Sequence, residues 1–207
     1  MIAIVDYGLG NIRAFANVFK TIRVEHCIAK VKADLKGATK IILPGVGAFD
    51  HAMERLSSSG MREPLEELVV HQKIPVMGIC VGMQILGKCS AEGQLPGLGW
   101  VNGRVVSMRE EGLHMNGVLP HMGWNQVRPM HGCKLFEGLG EEPEFYFLHS
   151  YCFQTDDPSI IAAESDYGAT FPSAVQTGHV YGVQFHPEKS HQNGVSLLRN
   201  FAEIQSC

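Results

Sequence analysis

A chain of 207 residues with 45% apolar residues and a formal charge of −4 is sized for one α/β domain with a substantial core. Its charges are dispersed without a basic patch, which argues against a nucleic-acid partner, and no apolar run approaches the roughly 18 residues of a membrane span. The six cysteines (Cys27, Cys80, Cys89, Cys133, Cys152 and Cys207) form no Cys-x-x-Cys pair and read as reduced thiols of a cytoplasmic protein.

The chain opens directly on Ile2-Ala3-Ile4-Val5, so no leader peptide is expected. This apolar, β-branched run suits a strand over 2–6 buried on both faces. Gly8-Leu9-Gly10 is a turn into a helix over 12–20, with Asn11 as its N-cap. A dinucleotide loop would place Arg13 where helix and strand must pack closely, so no such cofactor site is expected. Strands follow over 24–31 and 40–43, the second feeding Pro44-Gly45-Val46-Gly47-Ala48-Phe49. Helices are expected over 50–56 and 62–71, then a buried strand over 74–77, a sharp turn and a helix over 83–88. Such alternation argues for an open, mostly parallel twisted sheet with flanking helices.

The pattern changes after Ala91. Short strands are expected over 101–108, 124–127, 145–153, 160–164, 174–176 and 180–185, with Thr177-Gly178-His179 as a hairpin turn. They read as an antiparallel region added to the parallel core. A last helix over 195–204 carries Leu197, Leu198, Phe201 and Ile204 as a core stripe. The fold class is therefore α/β, with one domain over 1–207.

The turn after residue 77 carries the chemistry. Gly78-Ile79-Cys80-Val81-Gly82 is the nucleophile-elbow pattern with Cys in place of Ser. A nucleophile on a tight strand-to-helix turn sits in strained backbone and needs small flanks. At a helix N-terminus the thiolate is favoured, and the Val81 N–H is placed to hold a developing oxyanion. The competing reading is a small buried core cysteine. His186-Pro187-Glu188, after the strand over 180–185, decides between them. A Cys nucleophile needs a base that can return its proton, and a carboxylate fixes that base in one tautomer. No histidine pair, including His114 with His121 and His186 with His191, has zinc-ligand spacing, so no metal is expected.

Gly78-Ile79-Cys80-Val81-Gly82-Met83-Gln84 and Gln184-Phe185-His186-Pro187-Glu188-Lys189-Ser190 resemble the two signature motifs of the class I, or triad, glutamine amidotransferases. Within that family, Pro44 to Phe49, Pro120-His121-Met122-Gly123-Trp124-Asn125 and Tyr146-Phe147-Leu148-His149-Ser150-Tyr151 resemble the glutaminase subunits of imidazole glycerol phosphate synthases. The resemblance implies Cys80 as nucleophile on glutamine, His186 as acid and base, and Glu188 as its orienting group. It implies an oxyanion hole of Val46, Gly47 and Val81, whose glycine segment reorients before donating. Gln84, His149, Ser150 and Tyr151 would bind glutamine, and Asn11, Trp124 and Asn125 would face a partner or gate ammonia. No cofactor is implied. The implied partner is a separate (β/α)8-barrel cyclase subunit in a heterodimer of histidine biosynthesis, since the chain ends after its last core helix without an acceptor domain.

Three other readings stand beside this one. Related subunits feed ammonia to an amidino-sugar pathway of surface polysaccharide, and the 112–119 segment and Lys189-Ser190-His191 bear on that choice. A γ-glutamyl peptide hydrolase is more distant, because of the Trp124 and His149 motifs. A silent partner-binding scaffold would be marked by loss of Cys80, His186 or Glu188, and all three are present.

Overall fold

The computed structural model describes residues 1–109 and 118–204. Residues 112–117, with His114, and the terminal Cys207 lie outside the described residues. In chain order the first half holds β1 (Ile2–Val5), α1 (Ile12–Thr21), β2 (His26–Ala29), β3 (Lys40–Gly45) and α2 (Phe49–Ser58). It continues with α3 (Arg62–Glu66), β4 (Val76–Cys80) and α4 (Val81–Gln84). The second half holds β5 (Arg104–Ser107), β6 (His121–Gln126), β7 (Arg128–Pro129), β8 (Glu144–His149) and β9 (Tyr151–Gln154). Then come β10 (Ile161–Asp166), β11 (Thr170–Thr177), β12 (Val180–Val183) and α5 (His191–Glu203).

Eight strands make the main sheet in the order β2-β1-β3-β4-β12-β11-β10-β7. From β2 through β12 every pairing is parallel, and from β12 to β7 every pairing is antiparallel. The expected mostly parallel sheet with an antiparallel addition is thus observed. All residues of β1, β4 and β12 are buried, as their unbroken apolar runs require of strands covered on both faces. Helix α1 packs beside α5, and α2 beside α4. Two small antiparallel sheets, β5 with β9 and β6 with β8, complete the fold.

Several local expectations change. The strand expected over 145–153 is two strands in different sheets, broken at Ser150, because β8 pairs with β6 and β9 pairs with β5. The helix expected over 62–71 is regular only to Glu66 and widens into a π turn over Glu67–His71. The last helix starts four residues early, at His191. Asn11 stands at the N-cap position of α1, but its side chain caps nothing.

The helix expected over 83–88 is instead one turn, Val81–Gln84. The 97–101 loop takes the carbonyls that would continue it: Leu98 N–H donates to Ile85 O, Val101 to Leu86 O, Gly99 to Gly87 O and Gly97 to Lys88 O. The macrodipole argument for Cys80 loses most of its weight, because that dipole sums over aligned peptides.

Candidate active site

Three adjacent parallel strands bring the site together. Gly45 lies in register with Cys80 across β3 and β4, and Val183 with Ile79 across β12 and β4. The glycine segment after β3, the elbow after β4 and His186 beyond β12 therefore emerge at one edge. The crevice outside the carboxyl ends of parallel strands is where open α/β sheets bind ligands.

Cys80 has φ +55° and ψ −115°, a conformation that side-chain-bearing residues avoid. Its two glycine flanks make this possible. A β-carbon at Gly78 would lie 2.4 Å from Gly82 O, and one at Gly82 would lie 1.9 Å from Leu43 O. Cys80 Sγ lies 3.9 Å from Leu148 O and 3.8 Å from Gln184 Nε2.

His186 is buried, and its Nδ1 lies 3.0 Å from Glu188 Oε1. That carboxylate is buried with it and fixes the proton on Nδ1, which leaves Nε2 for Cys80. Burial opposes charge on the ring, but the bonded Cys80 and Glu188 side chains outweigh it and raise its pKa to about 9. The turn is clamped to β8: His186 N–H donates to Tyr146 O, Ser190 Oγ donates to His186 O, and Tyr146 N–H donates to Ser190 Oγ.

A cavity of about 360 Å³ opens over these groups. It is lined by Val46, Gly47, Cys80, Val81, Gln84, His149, Ser150, Tyr151 and His186, all singled out in the sequence. Gly47 has φ +90°, and the N–H groups of Val46, Gly47 and Ala48 make no hydrogen bond to any described residue. Glu188 stands behind His186. Asn11, Trp124 and Asn125 do not line the cavity. Trp124 is half exposed and stacks on His191, with centroids 5.1 Å apart. The Asn125 amide donates to Asp166 O at 2.8 Å, and Asn11 is exposed beyond β1.

Sequence reasoning missed Glu92 on the cavity wall, and it gave no site role to Pro120, Leu148 and Lys189, which it met only within motifs. Glu92 also caps α2, its Oε2 accepting from Phe49 N–H at 2.8 Å. An Asp or Glu ahead of the Leu95-Pro96-Gly97 loop carries no local signal of this, since the contact spans 43 residues.

His149 is joined to a second buried imidazole, His121, with Nε2 and Nδ1 2.9 Å apart. Burial depresses the pKa of His121 to about 4 and of His149 to about 3, the latter lowered further by His121. Both rings are therefore neutral at physiological pH. Among the described residues, no three His, Cys, Asp or Glu side chains converge as metal ligands, and no helix is long and apolar enough to cross a membrane.

The family model of the class-I glutamine amidotransferases matches residues 3–204. The chain is 57% identical over 208 residues to the imidazole glycerol phosphate synthase subunit HisH of Bdellovibrio bacteriovorus, covering 99% of this chain and 100% of that protein. It is 48% identical over 204 residues to the HisH subunit of Leptospira interrogans, with 99% and 100% covered. Among solved structures, a glutamine amidotransferase superposes with a TM-score of 0.75 at 21% identity, over 98% of this chain and 97% of that one. A chain of the PurLQS structure from Thermotoga maritima superposes with a TM-score of 0.72 at 16% identity, over 97% and 96%. These two likenesses concern the fold alone. The chain belongs to the class-I glutamine amidotransferases, in the family of HisH subunits of imidazole glycerol phosphate synthase.

Proposed function

We propose that this chain is the glutaminase subunit of an imidazole glycerol phosphate synthase in histidine biosynthesis, with Cys80, His186 and Glu188 as its triad. The placing of Cys80 and His186 on one cavity, with Glu188 bonded to His186 behind it, in a chain of this family, carries the reading.

Cys80 thiolate attacks the γ-amide carbon of glutamine, a C–S bond forms, and the carbonyl electrons move onto oxygen. The N–H groups of Val81 and of the Val46–Gly47 segment hold that oxyanion. His186 gives its Nε2 proton to the amide nitrogen, the C–N bond breaks, and ammonia leaves. The product on the enzyme is a γ-glutamyl thioester. Water then attacks the thioester while His186 takes its proton, the Cys80 thiolate is expelled, and glutamate departs. Glu188 stays ionised and keeps the ring in one tautomer. Gln84, His149, Ser150 and Tyr151 surround the substrate, and the Glu92 carboxylate offers a counter-charge to its α-ammonium group.

The ammonia passes to a separate (β/α)8-barrel cyclase subunit, and the pair works in the cytoplasm. The exposed apolar side chains Met122, Trp124 and Leu148, on one face of β6 and β8 beside the cavity, support this docking face. Asn125 lies on the inner face of β6, behind this surface, and braces it through Asp166.

The test is glutamate release by the wild type and Cys80→Ser, each alone and with a barrel cyclase and its ribotide ligand. The reading expects activity that needs Cys80 and rises when the liganded cyclase is added. Release that survives Cys80→Ser rejects the triad. Release that needs Cys80 and ignores the cyclase moves the acceptor to another pathway, such as amidino-sugar synthesis.

A further inference from the structure

Two strings of hydrogen bonds meet on the Tyr151 carbonyl, and one of them ends on the nucleophile. Gln184 is fully buried, and its Nε2 lies 3.8 Å from Cys80 Sγ. Its Oε1 accepts from Gln84 Nε2 at 3.1 Å, and Gln84 Nε2 also donates to Tyr151 O at 3.1 Å. That carbonyl is 2.9 Å from His149 Nδ1. His149 Nε2 faces His121 Nδ1 at 2.9 Å, and His121 Nε2 faces Asn125 Nδ2 at 3.3 Å.

Chemistry sets the direction of each link. A carbonyl only accepts, so His149 carries its proton on Nδ1. Neutral His149 then has a bare Nε2, which accepts from His121 Nδ1–H. Neutral His121 in turn accepts from the Asn125 amide. Both amide hydrogens of Gln84 are used, on Tyr151 O and Gln184 Oε1. This leaves Gln184 one orientation, with oxygen toward Gln84 and N–H toward sulfur. The reversed amide would set oxygen against the thiolate and nitrogen against nitrogen.

We propose that Gln184 is a further catalytic residue whose amide donates to the Cys80 thiolate, and that Gln84, its own amide turned by the Tyr151 carbonyl, is the positioning residue that sets this orientation. The proposal rests on the glutaminase reading. Such a donor steadies the sulfur before attack and again when it departs from the thioester.

Gln184→Met keeps the volume and removes the donor. Gln84→Met keeps the volume and removes the donor to Gln184 Oε1. Gln184→Met is expected to lower kcat for glutamine roughly tenfold, the scale of one lost hydrogen bond to a charged group, with KM changed less than about threefold. Alkylation of Cys80 by iodoacetamide at neutral pH, followed on its peptide by mass spectrometry, slows in parallel. Gln84→Met, which frees the Gln184 amide to turn, slows the alkylation by a smaller factor. Unchanged kcat and alkylation in Gln184→Met, or a shift in KM alone, overturn the proposal. If that variant does not fold, unchanged alkylation in Gln84→Met overturns it instead. Alkylation needs no glutamine, so a wild type without glutaminase activity would reject the functional reading and still leave this measurement decisive.

Discussion

The carbonyl oxygen of Leu43 lies 1.9 Å from where a β-carbon on Gly82 would stand. Both groups are backbone, so neither can swing aside. Gly82→Ala must push β3 away from the elbow, and β3 leads into the Val46–Gly47 donors. The expected cost is about 3 kcal/mol of stability, at the upper end for overpacking a core, read by urea denaturation. Glutaminase activity is expected to fall with it. Alanine at Gly78, whose β-carbon would lie 2.4 Å from Gly82 O, is expected to behave alike.

The Glu188 carboxylate holds the proton of His186 on Nδ1 through a 3.0 Å contact. Glu188→Gln keeps the shape and removes the charge. The expected loss in kcat is about 10²–10⁴-fold, the range seen when a triad base loses its orienting carboxylate, with a smaller change in KM. Steady-state kinetics at several pH values checks this. An equal kcat would remove Glu188 from the triad.

His186 is held at a pKa of about 9, above the value of roughly 6.5 for an unfolded histidine. The folded state therefore binds its proton more tightly. The stabilisation is fully present below about pH 6.5 and is lost as pH rises through about 9. Thermal midpoints of the wild type and His186→Asn should thus converge between those two pH values. A gap that widens with pH would reverse the sign and exclude a charged His186 in the resting enzyme.

His121 and His149 behave oppositely, with pKa values near 4 and 3. Below about pH 6.5 the unfolded chain takes up protons that the buried rings refuse. Stability is full above that pH and falls as pH drops toward the folded values. The two rings together should cost about 3 kcal/mol by pH 5.5, from roughly 1.4 kcal/mol per pH unit and group. His186 changes oppositely over this range, so the difference between wild type and His121→Phe in denaturation at pH 7.5 and 5.5 isolates one ring, about 1.4 kcal/mol.

The Tyr7 hydroxyl is buried with no hydrogen-bond partner among the described residues, and burial holds its pKa well above the usual tyrosine range. Removing an unpaired buried polar group is stabilising. Tyr7→Phe is expected to gain about 1 kcal/mol in urea denaturation, the lower end of such desolvation costs. A loss of stability would mean that the hydroxyl is paired in solution.

Much of the site is legible without coordinates, because its demands are local. Cys80 needs φ +55°, and Gly78 and Gly82 are the only residues whose bulk its neighbours accept, so the elbow is written as a pentapeptide. His186 and Glu188 lie two residues apart on one turn and need no distant partner to find each other. The parallel core is equally legible, since strands buried on both faces leave unbroken apolar runs. Other features exist only once distant segments meet. The one-turn elbow helix is cut short by carbonyls given to the 97–101 loop. Ser150 divides what reads as one strand because the two halves find different partners. Glu92 reaches the cavity across 43 residues of chain, His121 reaches His149 across 28, and Gln84 reaches Gln184 across 100. Periodicity and turn chemistry report the backbone's own needs over a few residues. The direction of a buried amide depends on who stands opposite, and only the assembled sheet decides that.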